Sequence, residues 1–147
     1  MKEYSDEYRG VFQIPELAKQ PVSFEGMKFK GSTGVYNVTP TDNDGFIQLD
    51  YIDFFCWFEL KHGDSPVPHG QALSLTRACD SIQRGGDNAV FIIANHNTPS
   101  PETIMAKDTR VLRFYCGGEW HEANHSITLL DLINHFINDI EKKRGIS

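Results

Sequence analysis

Two short apolar runs separated by a helical pattern constrain the fold of this chain most strongly. The runs cover residues 54–58 and 89–94, and the second is a continuous apolar segment of the kind buried on both faces of a sheet. Between them, residues 69–84 predict a helix with one apolar face, formed by Leu75, Cys79 and Ile82. A strand, a helix and a second strand in this order form a right-handed crossover, so we expect two parallel neighbouring strands.

Further patterns extend this unit in both directions. Residues 31–34 predict a turn between two β-rich pieces, and residues 45–61 predict a hairpin. Residues 110–116 predict another strand, and a short helix is expected within residues 5–20. Thr128 begins a C-terminal helix whose apolar stripe is Leu129, Ile133, Phe136, Ile137 and Ile140. The order of elements predicts a single mixed-sheet α/β domain over residues 1–147.

Composition narrows the class of protein. The chain has 147 residues, including 2 Trp, 5 Tyr and 10 Phe, and a formal net charge of −6. This aromatic content excludes a disordered chain, and the acidic balance excludes a broadly basic nucleic-acid coat. Three cysteines, Cys56, Cys79 and Cys116, lack metal-ligand spacing and predict reduced, buried thiols. Without a signal peptide or a bilayer-length apolar run, the sequence predicts a soluble, cytoplasmic protein.

A glutamate and a lysine end the first apolar strand. Because side chains alternate across a strand, Glu59 and Lys61 share one face. If the hairpin turns at residues 50–53, Glu59 lies opposite Asp44 and Lys61 opposite Asp42. Two carboxylates that close repel unless a proton or cation lies between them, and Mg²⁺ favours such ligands. A slip of one residue would move Asp44 to the other face, so the prediction depends on the turn.

The next helix adds an amide to this face. Gln71 lies in the first turn of that helix, on the side of Leu75 and Ala78. It is therefore expected to face inward near the end of the strand. A polar residue in a first helical turn is also common without any functional role, so Gln71 alone does not define a site.

Asp, then Glu-x-Lys on the next strand, then a helix that opens with Gln resembles the PD-(D/E)XK nuclease superfamily. The resemblance covers residues 40–95 and is greatest to small resolvase-like and VRR-NUC-like nucleases, many of them from phages and mobile elements. It implies a restriction-endonuclease-like fold with an αβββαβ core. It further implies that Asp44, Glu59 and the Leu60 carbonyl bind a metal, that Lys61 orients or activates the attacking water, and that Gln71 supports the site.

The resemblance leaves the first and the additional acids open. The sequence reads Pro-Thr-Asp-Asn-Asp instead of Pro-Asp, so Asp42 competes with Asp44 as the first acid. Such families often add an acid from the first helix, and Glu3, Glu7 or Glu16 would serve.

The resulting hypothesis is an endonuclease that uses Mg²⁺ or Mn²⁺ to hydrolyse DNA phosphodiester bonds, with selectivity for a junction or a nick. DNA is then the expected partner, no membrane is involved, and a homodimer is compatible because nucleases of branched DNA commonly dimerise. The alternative is a catalytically silent module with the nuclease fold that acts by binding a protein or DNA partner.

The sequence also contains a competing motif and several further cations. His121-Glu-Ala-Asn-His125 matches the HExxH zinc motif, but it precedes the helical period and is expected in a loop. Arg110 and Arg113 fall on opposite faces of a regular strand and do not predict one patch. The histidines His62, His69 and His96 are candidates for the rim formed by the strand ends. The remaining candidates for phosphate contact are Lys107, Lys142, Lys143 and Arg144.

Overall fold

The computed structural model describes residues 23, 25, 28–36, 43–67, 69–123 and 126–146. The chain divides into two compact units, residues 1–40 and 41–147. In the first unit, β1 (Phe29–Gly31) and β2 (Gly34–Tyr36) form an antiparallel hairpin around the predicted turn. The helix predicted within residues 5–20 lies outside the described residues, and the single domain predicted for 1–147 stays a prediction.

The second unit contains a five-stranded mixed sheet in sequence order β3-β4-β5-β6-β7. β4 and β5 are parallel and all other neighbouring pairs are antiparallel, which confirms the predicted crossover. Helix α1 (His69–Arg84) joins the parallel pair, and α2 (Leu129–Lys143) ends the fold. The strands are β3 (Gly45–Leu49), β4 (Phe54–His62), β5 (Asn88–His96), β6 (Arg110–Cys116) and β7 (Glu119–Glu122). The mixed α/β class is thus as predicted.

The turn between β3 and β4 fixes the register of the hairpin. A short 3-10 turn, Asp50–Ile52, buries the Ile52 side chain completely, and Asp53 adopts a left-handed conformation with φ 48°. Arg144, just after α2, forms an ion pair with Asp53 at 3.1 Å. A buried anchor and an ion pair therefore stabilise a turn whose residues are poor formers of a two-residue loop.

Each face of the sheet packs against one helix. On the α2 side, the core includes Phe54, Cys56 and Phe58 of β4 together with Leu129, Leu132, Ile133 and Ile140. On the α1 side, Leu75 and Cys79 pack against Ala89, Phe91, Ile93 and Tyr115. The side chain of Thr128 accepts a hydrogen bond from the Asp131 backbone N–H at 3.2 Å, which confirms the predicted start of α2.

Two features of the last strands differ from the sequence prediction. β7 was not predicted, although the glycine pair before it has positive φ at both residues, 61° at Gly117 and 81° at Gly118, as a tight hairpin turn requires. β6 is irregular, because Ile93 pairs with Arg113 whereas Ala94 pairs with Val111. Leu112 is therefore an extra residue in a bulge. The residues before it, Arg110 and Val111, lie on the faces opposite to those that a regular strand would give them.

All three cysteines are free; Cys56 and Cys79 are buried, as predicted, and Cys116 is partly exposed. Burial raises the pKa of the Cys79 thiol to about 12. Among the described residues, no helix has the length and apolar character needed to cross a membrane.

Candidate functional site: an acid pair at the end of β4

The hairpin brings the two predicted acids together. Gly45 pairs with Phe58 in the register predicted from the sequence, so Asp44 lies opposite Glu59 at the next position. The Leu60 backbone N–H donates to Asp44 Oδ2 at 2.6 Å, which holds this carboxylate against β4. The two carboxyl groups are close enough to share a hydrogen bond. A tight hairpin and one backbone donor therefore set the geometry of the pair.

Glu59 is buried in spite of its charge. Only 4% of the residue is exposed, on the side of the sheet that α1 covers. Gln71, in the first turn of α1, donates from Nε2 to both Glu59 oxygens, at 2.9 and 3.0 Å. The prediction that Gln71 faces inward near the end of the strand is confirmed. The amide fixes the plane of the carboxyl group from the helix side.

The electrostatics of Glu59 follow from this environment. The pKa of Glu59 is raised to about 7, mainly by burial and in addition by the nearby Asp44, through its charge and through the shared hydrogen bond. The hydrogen bonds from Gln71 and the positive charge of Lys61 act in the opposite direction. At neutral pH the pair therefore binds a proton or another cation readily, because either one relieves the repulsion.

Lys61 supplies the nearest positive charge on this face. It lies two residues beyond Glu59 on β4, is partly buried, and pairs in register with Asn95 of β5. Asn95 was not identified from the sequence. The register of β4 against β5 indicates it, because Glu59 pairs with Ile93 and two residues further on Lys61 pairs with Asn95 on the same face. Its side chain donates to the Gly63 carbonyl at 3.4 Å.

Asp44 and Glu59 are the carboxylates that could bind a divalent cation at this site. No group of three or more His, Cys, Asp or Glu side chains converges within the residues that the structure describes. Two carboxylates with open access on one side are nevertheless what Mg²⁺ commonly takes from a protein, because it keeps several waters. Asp44 and Glu59 therefore fit such an ion. Asp42, Glu3, Glu7 and Glu16 lie outside the described residues, and a role for the Leu60 carbonyl stays a prediction.

Histidines and a cavity border the same end of the sheet. His62 and His96 pair in register, with ring centroids 5.3 Å apart, while His69 is exposed at the start of α1. Beyond them lies a polar cavity of about 550 Å³, lined among others by His96, Thr98, Glu102 and Arg110. His62 and His96 therefore lie at the ends of β4 and β5, at the rim where the sequence predicts them.

The bulge at Leu112 corrects the prediction for the arginines. Arg110 pairs with Asn95 and Arg113 with Ile93, so the register puts both on the face of Lys61 and Glu59. A regular strand would put them on opposite faces, and the bulge in β6 brings them to the same one. Arg113 lies over the Trp120 ring, 4.9 Å from its centroid, whereas Arg110 lies at the cavity.

The other cations have local partners. Lys107 pairs with Asp108 at 3.0 Å, and Arg144 pairs with Asp53. Lys142 and Lys143 lie in the last turn of α2, where positive charge stabilises a helix.

The HExxH motif does not have the expected local structure. Its first two residues, His121 and Glu122, lie on β7 and not in a loop, and His125 is outside the described residues. The His121 ring stacks on Phe114 at 5.1 Å, and its Nε2 lies 3.3 Å from the Cys116 carbonyl oxygen. Because the zinc motif requires a helix, this placement argues against a zinc protease.

Comparisons with known proteins add no assignment: no protein-family model, no curated protein and no solved structure matches this chain.

Proposed function

We propose that this chain is a metal-dependent endonuclease that hydrolyses phosphodiester bonds of DNA, with a restriction-endonuclease-like fold. The observation that carries the proposal is the buried Glu59, which shares a hydrogen bond with Asp44, receives two from Gln71, and has Lys61 on the same face. Burying Glu59 beside a second carboxylate, that of the exposed Asp44, costs free energy, so the retention of both in one hairpin favours a functional role. The resemblance of these four residues to the PD-(D/E)XK pattern supports the same function.

Each residue then has a distinct task. Asp44 and Glu59 hold the cation, and the Leu60 N–H and Gln71 keep the two carboxylates in place. Lys61 donates a hydrogen bond to the attacking water or to a phosphate oxygen, where negative charge develops. The bound cation, Mg²⁺ or Mn²⁺, lowers the pKa of water and neutralises charge on the phosphate.

Cleavage of labelled DNA tests the proposal. A junction, a nicked duplex, an intact duplex and a single strand are incubated with the protein, with and without Mg²⁺ or Mn²⁺. We expect metal-dependent cleavage of at least one of them, and a loss of about 100- to 1,000-fold in Asp44→Asn, Glu59→Gln and Lys61→Ala, as loss of one preorganised charge-stabilising group commonly gives. Circular dichroism checks that the variants remain folded.

Glu122→Gln is the matched control. Glu122 is an exposed glutamate on the strand at the opposite edge of the sheet, so its removal should leave cleavage unchanged. Full activity of Glu59→Gln would overturn the proposal, and loss of activity in Glu122→Gln alone would favour the HExxH hypothesis. If no DNA is cleaved and calorimetry shows no Mn²⁺ binding that depends on Glu59, the catalytically silent module is the better explanation.

A further inference from the structure

Three opposed residue pairs form a row on the α1 side of β3 and β4. Phe46 pairs with Trp57 and Gln48 with Phe55, and the same register continued by one residue beyond Gly45 puts Asp44 opposite Glu59. Successive same-face positions on a strand are about 7 Å apart, so the aromatic pair lies one such step from the acid pair. The row therefore places a large apolar surface beside the proposed site of cleavage.

The aromatic pair is accessible. Phe46, on the edge strand β3, is 48% exposed, and its ring centroid lies 4.9 Å from that of Trp57 with an interplanar angle of 30°. Phe55 extends the group, with its ring centroid 6.3 Å from that of Phe46. Helix α1 packs its buried residues over β5 and β6, which leaves Phe46 outside that core. The Phe46 ring is therefore held against Trp57 and is accessible at the edge of the sheet.

We propose that Phe46 and Trp57 stack an unpaired nucleobase next to the phosphate that is cleaved, so that the substrate is a single-stranded segment. This inference rests on the proposed function and specifies its substrate class. In a duplex both faces of each base are covered by neighbouring bases, whereas an unpaired base offers a face to an aromatic side chain. Trp57 and Glu59 are successive same-face residues of β4, about 7 Å apart, so a base on the rings lies beside the acid pair.

The charge of the protein points the same way. Proteins that grip duplex DNA by its backbone use several Lys and Arg side chains. Here the formal net charge is −6, and acids dominate the β3–β4 hairpin. Proteins that bind single strands combine aromatic stacking with positive charge; here the stacking rings are Phe46 and Trp57, and Lys61 supplies positive charge on the same face. Unpaired DNA and unpaired RNA share this chemistry, and the test separates them.

Trp57 fluorescence measures the contact directly. Trp120→Phe leaves Trp57 as the single tryptophan. Lys61→Ala is added so that the nucleic acid is not cleaved during the titration. This double variant is titrated in Mg²⁺ with single-stranded DNA, single-stranded RNA of the same sequence, and duplex DNA. We expect a change in Trp57 emission with one or both single strands and none with the duplex.

Phe46→Leu separates stacking from packing, because leucine keeps an apolar side chain against Trp57 but has no aromatic face. We expect its affinity for the single strand to fall by about tenfold, the usual effect of removing one stacking partner. In the background with Lys61 intact, cleavage of the single strand should fall by a similar factor at low substrate concentration. Tyr51→Leu is the matched control, since Tyr51 is 56% exposed in the turn and lies outside the row.

The outcomes separate this inference from the proposed function. Cleavage of duplex and single strand at equal rates, unaffected by Phe46→Leu, would overturn the stacking site and leave the nuclease intact. Binding of the single strand without cleavage by any metal-loaded protein would overturn the nuclease and support the stacking surface. The inference would also be overturned if Phe46→Leu binds single-stranded nucleic acid as tightly as the unmodified protein but has a lower mass in solution. This face would then bind a second copy of the chain.

Discussion

At the scale of single residues, Glu59 has the most unusual environment in the described part of the second unit. It is a carboxyl group with 4% exposure whose oxygens both accept from one amide, and whose nearest acidic neighbour shares a hydrogen bond with it. Such a group holds a proton at pH values where an exposed glutamate has lost it. Its titration should therefore be visible in the stability of the protein.

We predict that the metal-free protein loses stability as the pH rises from 4.5 to 7. The pKa of Glu59 is raised from 4.5 to about 7 by folding, so the unfolded chain releases the proton first and the free energy of unfolding falls across this window. The component due to Glu59 should be on the order of 3 kcal/mol. Urea unfolding in EDTA measures it.

Substitution isolates that component from all other titrating groups. Glu59→Gln should abolish it, and Glu122→Gln should leave it in place, because Glu122 is exposed. An identical pH dependence in Glu59→Gln and the unmodified protein would contradict the prediction.

At the scale of elements, the β3–β4 hairpin and the bulge in β6 decide which side chains meet. The hairpin depends on a close approach at its first residue. A Cβ atom added at Gly45 would lie 2.0 Å from the Phe58 ring, so only glycine fits between Asp44 and the strand behind it. The ring of Phe58 thus packs directly on the backbone that carries the first acid.

We predict that Gly45→Ala destabilises the protein by about 1–3 kcal/mol, the usual cost of overpacking a core position. It should also weaken metal binding, since the backbone must move away from β4 and take Asp44 with it. Urea unfolding and Mn²⁺ calorimetry measure the two effects.

Gly70→Ala is the control for Gly45→Ala, because nothing lies within 4 Å of the added Cβ in the first turn of α1. It should be neutral or slightly stabilising, as alanine favours helix. Wild-type stability in Gly45→Ala would show that Phe58 moves aside without cost.

The bulge in β6 leads to a separate prediction. It puts Arg110 on the face of Lys61, across Asn95, so Arg110 is positioned to contact a phosphate two strands away from Lys61, at about 10 Å. We expect Arg110→Ala to weaken substrate binding about fivefold and to lower the slope of log affinity against log salt by about 1.

Titrations at several salt concentrations measure this slope. Lys107→Ala serves for comparison, because Lys107 is already paired with Asp108. Equal slopes in Arg110→Ala and the unmodified protein would contradict a phosphate contact by Arg110.

At the scale of the whole molecule, an acidic protein in which a buried carboxyl group lies beside an exposed one should gain stability from a divalent cation. Binding to the folded state alone adds about 1.4 kcal/mol when the cation is at ten times its dissociation constant. We predict that Mg²⁺ raises the thermal midpoint by a few degrees at pH 7.5, and by less at pH 5.5, where protons occupy the pair. The increase should disappear in Asp44→Asn and Glu59→Gln, and persist in Glu122→Gln.

Patterns along the chain predicted a large part of this fold. The helix over residues 69–84, the parallel strands and the hairpin register are all present, because buried faces and turn residues leave a periodic signal. β7 and the bulge were missed: one strand is four residues long, and a single extra residue has no periodic signal. Of the site, the pairing of Asp44, Glu59 and Gln71 was predictable, while Asn95 required the register of β4 against β5.

The Asp44–Glu59 pair also has a consequence for the order of folding. The two acids are joined by one hairpin, which forms in about 1–10 μs, whereas Gln71 and β5 arrive only after the slower crossover closes. If the hairpin closes first, the acids repel each other until their amide partner is in place. We expect Mg²⁺ to accelerate refolding as well as to oppose unfolding, and stopped-flow rates with and without the ion would show it.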